Sequence, residues 1–176
     1  MRVAILHDDV AGDARADELD VLVQADAVEA ALRALGHRTS RVALGLRLDD
    51  AAAALREQAP DAVVNLVESV DRSGRFAHVA TTLLDHLRLP YTGSGTEAMV
   101  LTSSKPLAKR VLAAAGVPTP AWTTAAALRA GGRPPGGRLI VKSVWEHGSL
   151  GLSDDSVCEL RVGGALLALL GTRGPA

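Results

Sequence analysis

Lys142 stands at the end of the apolar run Leu139-Ile140-Val141 and is closely followed by Gly148, Ser149 and Gly151. A lysine fixed on a strand end supplies a positioned positive charge. Glycines after it let the backbone approach an anion and turn successive N–H groups toward it, so the stretch could cradle phosphates. The same residues also fit a surface β-hairpin carrying a solvated lysine, and the two readings stand side by side. A second lysine, Lys105, follows Thr102-Ser103-Ser104, a cluster of helix-capping residues. Two cations beside special backbone features, converging on one anion, form an arrangement suited to a nucleoside triphosphate. In phosphoryl transfer a protein mainly positions phosphates and stabilises developing charge.

The acidic residues are weaker candidates. Asp8 and Asp9 follow the first apolar run; adjacent residues at a strand end point to opposite faces, which favours a solvated acidic loop over a metal site. Glu18, at the start of a helix, gains from the macrodipole, and its functional reading is a counter-ion for a substrate ammonium group. His78 and His86 read as surface or half-buried helix residues. The Gly93-Ser94-Gly95 turn fits an anion site and a plain tight turn equally well.

Elements that would position these groups can be read along the chain. Arg2–Leu6 is expected as a buried strand. A helix over about Leu19–Leu35 carries an apolar stripe of Leu22, Val23, Ala27, Val28, Ala31, Leu32 and Leu35, with Gly36 ending it. A strand over Thr39–Leu44 follows, then a helix over Ala51–Gln58 with Asp49-Asp50 at its N-cap. Ala62–Val67 is a continuous apolar run typical of a strand covered on both faces. The polar loop Glu68–Gly74 then falls at the carboxyl end of the sheet, where ligands collect in open α/β folds. A helix over Phe76–Leu87, a short strand and turn over Pro90–Gly95, and a brief helix over Glu97–Leu101 complete a Rossmann-like unit of parallel strands and crossover helices, residues 1–101. The second unit, residues 102–176, opens with a helix over Lys105–Ala115. Beyond it come an extended Val117–Pro120, a strand at Trp122–Thr124, a few helical residues over Ala125–Ala130, the strand Leu139–Val141, and a further strand over Val157–Val162.

Composition narrows the function classes. At 176 residues and 48% hydrophobic, the chain can build a real core. A net charge of -1 with no basic block argues against a general nucleic-acid or membrane-surface binder. A single cysteine, Cys158, excludes an internal disulfide and a thiolate zinc site. The chain enters Val3-Ala-Ile-Leu6 without a charged region, long apolar run and cleavage site, so a soluble, non-exported, cytoplasmic protein is expected. The first strand is followed by His7-Asp8-Asp9, which would repel a diphosphate, where a dinucleotide fold places its glycine-rich turn; nicotinamide oxidoreductase chemistry is therefore disfavoured.

Several stretches in order resemble the ATP-grasp superfamily and, within it, the D-alanine–D-alanine ligase family. They are Asn65-Leu-Val-Glu68 with Gly74-Arg75, Leu89-Pro-Tyr-Thr-Gly-Ser94, Lys105 through Pro120, and Ile140-Val-Lys142 with Glu146, Ser149 and Gly151, together covering most of residues 60 to 155. The resemblance implies an α/β fold, a preATP-grasp parallel sheet followed by a partial first lobe of an ATP-binding clamp. Lys105 and Lys142 would be the two ATP-contacting lysines, and Glu146, Gly148, Ser149 and Gly151 the flap over the phosphates. Glu18 and Glu68 would be substrate contacts. Such ligases use ATP and magnesium to turn a carboxylate into an acyl phosphate, which an amine attacks to form an amide, in peptidoglycan synthesis. An amino-acid or peptide substrate and a homodimer through the first unit also follow.

The chain departs from the family in two ways. The N-terminal Gly-Gly-x-Ser-x-Glu signature is replaced by His7-Asp8-Asp9 and a longer acidic loop, and the His-Gly after the third strand by Val67-Glu68, which leaves the substrate open. After Lys142 the acids are Glu146, Asp154, Asp155 and Glu159, so no three-ligand cluster for magnesium can be assembled and the remaining catalytic residues are expected in a missing second lobe. A truncated product is thus expected, with a naturally short relative as the other reading. The rival function is a non-catalytic Rossmann-like module that binds a small ligand or a partner chain.

Overall fold

A computed structural model describes residues 1–10, 12–14, 16–147 and 152–159. The chain divides into two compact units, Met1–Ser103 and Ser104–Ala176.

The first unit is α/β. Strand β1 (Arg2–Asp8) lies between β2 (Arg38–Leu44) and β3 (Ala62–Asn65), all parallel. Val3 faces Thr39 on one side and Ala62 on the other; Leu6 faces Val42 and Asn65. A central parallel strand is covered on both faces, which is why Val3-Ala-Ile-Leu6 is an unbroken apolar run and all four residues are buried. The connections are α1 (Ala16–Ala34) and α2 (Leu48–Gln58), and after β3 come a 3₁₀ turn over Gly74–Phe76, α3 (His78–Leu87) and α4 (Thr96–Ser103). The core gathers Leu6, Leu44, Leu55, Val63, Val70 and Leu84 between the sheet and the helices.

Several expected boundaries shift. Helix α1 buries Val21 and Ala25, with Val28 and Leu32 half-buried, while Val23 and Leu35 are exposed. The 4-3-4 spacing of residues 21, 25, 28 and 32 defines the packed face and puts Val23 on the other side. Helix α2 starts earlier than expected, with Arg47 at the N-cap position and Asp49 and Asp50 inside the first turn, where their charge still complements the dipole. The expected strand over Pro90–Gly95 reduces to one parallel bridge, Tyr91 with Val63, because Pro90 has no N–H and Gly93 adopts φ 97°. Helices α2 and α3 end on Ala59 and Arg88, both left-handed at φ 42° and 55°.

In the second unit, α5 (Lys105–Ala114) begins at Ser104, whose Oγ accepts the Leu107 N–H, with Pro106 in the first turn. Gly116, at φ 72°, follows the helix end. Lys109 Nζ donates to Thr119 Oγ1 at 2.9 Å and to the Pro120 carbonyl at 3.0 Å, tying the extended Val117–Pro120 segment back to α5. The Arg110 guanidinium lies 5.8 Å from the Trp122 ring centroid. Trp122–Thr124 is not a strand; Thr124 instead caps α6 (Ala125–Arg129) by accepting the Ala127 N–H. Strands β4 (Arg138–Ile140) and β5 (Val157–Glu159) pair antiparallel, Ile140 opposite Val157. The expectation for 160–162 lies outside the described residues. Among the described residues no helix is long and apolar enough to cross a membrane.

Candidate functional site: two lysines and a carboxyl-edge loop

Lys105 is fixed at both ends of its structure. Its main-chain N–H donates to the Val144 carbonyl at 3.1 Å, and its ammonium donates to the Glu146 carbonyl. The first bond uses an N–H that the first turn of a helix leaves without an intrahelical partner. The Ser143 hydroxyl accepts the N–H groups of Trp145 and Glu146, both at 3.4 Å, which folds the chain back beyond Lys142. Lys142 itself is exposed, just past β4.

The charge of Lys142 acts on Lys105. Burial, and after it the positive charge of Lys142, hold the Lys105 ammonium below the ordinary lysine range; the Glu146 carboxylate acts in the opposite sense. Lys105 is thus in contact with the Glu146 main chain and within electrostatic reach of Lys142 and of the Glu146 carboxylate. A lysine beside a second positive charge is stabilised by an anion, and the Glu146 carboxylate offsets only part of the effect of burial and of Lys142. The proposed flap residues Gly148, Ser149 and Gly151 lie outside the described residues.

The acidic candidates belong to the first unit. Asp8 is not a solvated loop residue, as its sequence neighbourhood implied. It sits at the end of β1, half-buried, and its Oδ1 accepts the Glu68 N–H at 2.9 Å while Oδ2 accepts the Ser69 N–H at 3.0 Å and the Ser69 hydroxyl at 2.6 Å. Burial raises its pKa above the ordinary aspartate range, against the pull of these hydrogen bonds and of His7. The carboxylate caps the loop after β3 much as an N-cap residue serves a helix. Glu68 is exposed, its N–H engaged by Asp8.

Glu18 has a partner that the sequence did not point to. Arg72 Nε donates to Oε1 at 2.8 Å and Nη2 to Oε2 at 3.0 Å, a two-pronged pair, and Asp13 lies 3.6 Å from Nη1. The pairing holds the guanidinium strongly protonated. Arg72 and Asp71 form a two-residue turn, both with left-handed backbones at φ 60° and 53°. Asp8, Glu18 and Arg72 were legible as charges; that Asp8 would take the Glu68 and Ser69 N–H groups and Glu18 would pair with Arg72 was not, since these partners lie 60, 61 and 54 residues apart. His78 Nδ1 contacts the Arg75 carbonyl, His86 is exposed, and Gly93-Ser94-Gly95 is an exposed turn. Among the described residues no group of three His, Cys, Asp or Glu side chains could hold a metal ion.

No protein-family model matches the chain. It is similar to D-alanine–D-alanine ligases: 38% identical over 128 residues to that of Moorella thermoacetica, covering 71% of this chain and 38% of the relative, and 39% identical over 108 residues to that of Gloeobacter violaceus, covering 61% and 33%. The chain thus spans well under half the length of the curated relatives it matches. Its fold is similar to about half of the D-alanine–D-alanine ligase from Bacillus anthracis, with a TM-score of 0.67 at 18% identity, covering 98% of this chain and 53% of that one. A structure of the same Bacillus anthracis enzyme complexed with ATP aligns with a TM-score of 0.60 at 16% identity, covering 98% of this chain and 54% of that one.

Proposed function

We propose, with likeness to D-alanine–D-alanine ligases as the premise, that this chain is the N-terminal part of an ATP-dependent carboxylate–amine ligase. The first unit serves as the preATP-grasp domain and the second as part of the first lobe of the nucleotide clamp. The observation that carries the reading is the 38% identity to a D-alanine–D-alanine ligase over 128 residues. The neighbouring Lys105 and Lys142 support it, since the mutual repulsion of two lysines is relieved by a phosphate chain.

In this reading Lys105 and Lys142 bind the ATP phosphates, with Glu146 and the glycine-containing stretch Gly148, Ser149 and Gly151 closing over them. Magnesium, which neutralises phosphate charge in such a reaction, would be held by residues beyond those described. Glu18 and Glu68, at the carboxyl edge of the first unit, are the side chains offered to an amino-acid or peptide substrate. ATP and free amino acids place the work in the cytoplasm, and the first unit is the surface through which a homodimer would form.

Calorimetric titration of the chain with ATP and magnesium tests the reading. Saturable binding, weakened tenfold or more by Lys142→Ala, is the expected result; loss of a charge-assisted hydrogen bond to phosphate has about that size. No heat of binding from the native chain, with the fold intact by circular dichroism, overturns it and leaves a non-catalytic binding module as the better description.

A further inference from the structure

The loop between β3 and the Gly74–Phe76 turn is held at three points of different character. Its base is fixed by Asp8, which takes the Glu68 and Ser69 N–H groups. Its middle is pinned by Val70, which is 2% exposed and part of the core. Its tip is a two-residue turn closed by reciprocal main-chain hydrogen bonds between Val70 and Ser73, both 3.2 Å. The tip residues, Asp71 and Arg72, are both left-handed. That conformation suits glycine or asparagine, and a side chain in it persists where the surroundings enforce it. Beyond the two main-chain hydrogen bonds, the side-chain contact that holds the tip is the Arg72 guanidinium on Glu18, from the first turn of α1, with Asp13 at longer range.

We propose that residues 71–73 are a latched gate over the carboxyl edge of the sheet, held shut by the Glu18–Arg72 ion pair and hinged at Val70. The base is half-buried and held by three hydrogen bonds and the hinge is buried, whereas the latch is a charge pair whose arginine is half-exposed, at 48%. The latch is therefore the weakest of the three attachments and the one that ions or a charged ligand can break. Once it breaks, the left-handed turn keeps only the Val70–Ser73 main-chain hydrogen bonds, and the tip swings while Val70 and the Asp8 contacts stay. The proposal shares Glu18 with the ligase reading, but it concerns how this loop is held, and its test reads hydrogen exchange and not ligand binding, so the two can fail separately.

Hydrogen exchange followed by mass spectrometry on the full chain tests it. Arg72→Ala and Glu18→Gln should each speed exchange in the segment containing residues 70–76 on the order of fivefold, with β1 and β3 unchanged, and the double variant should be no faster than either single one. One molar sodium chloride should reproduce the effect in the native chain and add nothing to Arg72→Ala. Unchanged exchange in both variants, or equal acceleration throughout the first unit, would overturn the gate. As a second handle, Asp71→Gly relaxes the turn without touching the latch and should leave exchange at the tip slow; acceleration equal to that of Arg72→Ala argues against the ion pair as the lock.

Discussion

The ammonium of Lys105 is hydrogen-bonded to the main-chain carbonyl of Glu146, so the side chain at the start of α5 is held against the stretch that follows β4. Burial and the Lys142 charge both disfavour its protonated form. Lys142→Met should therefore raise the Lys105 pKa, which the pH titration of its 13Cε resonance would show; an unchanged or lowered value would contradict the neighbourhood. The linked stability has a definite sign. The folded-state pKa lies below the unfolded one, so the folded state binds fewer protons between the two, and the second unit gains stability as pH rises through that window.

Position 104 controls how Lys105 is presented. Ser104 Oγ accepts the Leu107 N–H, and Ser104 is 8% exposed, so its removal leaves a donor of the first turn without its cap. Ser104→Ala should cost about 1 kcal/mol of second-unit stability, while Ser104→Asp, which caps as well and complements the dipole, should retain most of it. Urea unfolding followed by circular dichroism distinguishes the two. Equal losses for both variants would mean that the site tolerates no change of shape, and that capping is not the reason for the serine.

These two sites also show what a sequence can convey. Ser104-Lys105-Pro106 is a local signal, a cap and a first-turn proline written in consecutive residues, and the structure places α5 where that signal begins. The run Val3–Leu6 is local too, and it marks the central strand. Helix ends at Ala59 and Arg88 carry no glycine to announce them; their left-handed residues donate their N–H groups back to carbonyls of the last turn, Leu55 for Ala59 and Asp85 and Leu84 for Arg88. Glu18 and Arg72 are 54 residues apart, and nothing near either residue encodes their meeting. The short strand and turn expected over Pro90–Gly95 shrinks to one bridge between Tyr91 and Val63 followed by the turn, because the proline lacks an N–H and Gly93 is left-handed.

The core should respond as a single packed cluster. Leu84 is fully buried on α3 against the sheet. Leu84→Ala should destabilise the first unit by about 2–5 kcal/mol, the sum of lost transfer energy and an incompletely collapsed cavity. Leu84→Met, which nearly conserves volume, should cost less than about 1.5 kcal/mol. Thermal melting of the two variants against the native chain measures the difference. Similar melting for Leu84→Ala and the native chain would mean that α3 is not packed as described.

Asp8 gives the first unit a pH dependence opposite to that of most carboxylates. Its folded-state pKa is raised, burial outweighing the hydrogen bonds from Ser69 and Glu68 and the nearby His7. The folded state therefore holds its proton to higher pH than the unfolded chain does. The stability Asp8 contributes is fully present below the ordinary aspartate value and is lost as pH rises through the raised folded value. Asparagine at this position does not titrate, so the stability of the native chain relative to Asp8→Asn should fall across that window and level off above it. Denaturant midpoints of both proteins, taken from mildly acidic to neutral pH, supply the comparison. A relative stability that climbs with pH would reveal a depressed carboxylate, with the three hydrogen bonds from Glu68 and Ser69 outweighing burial.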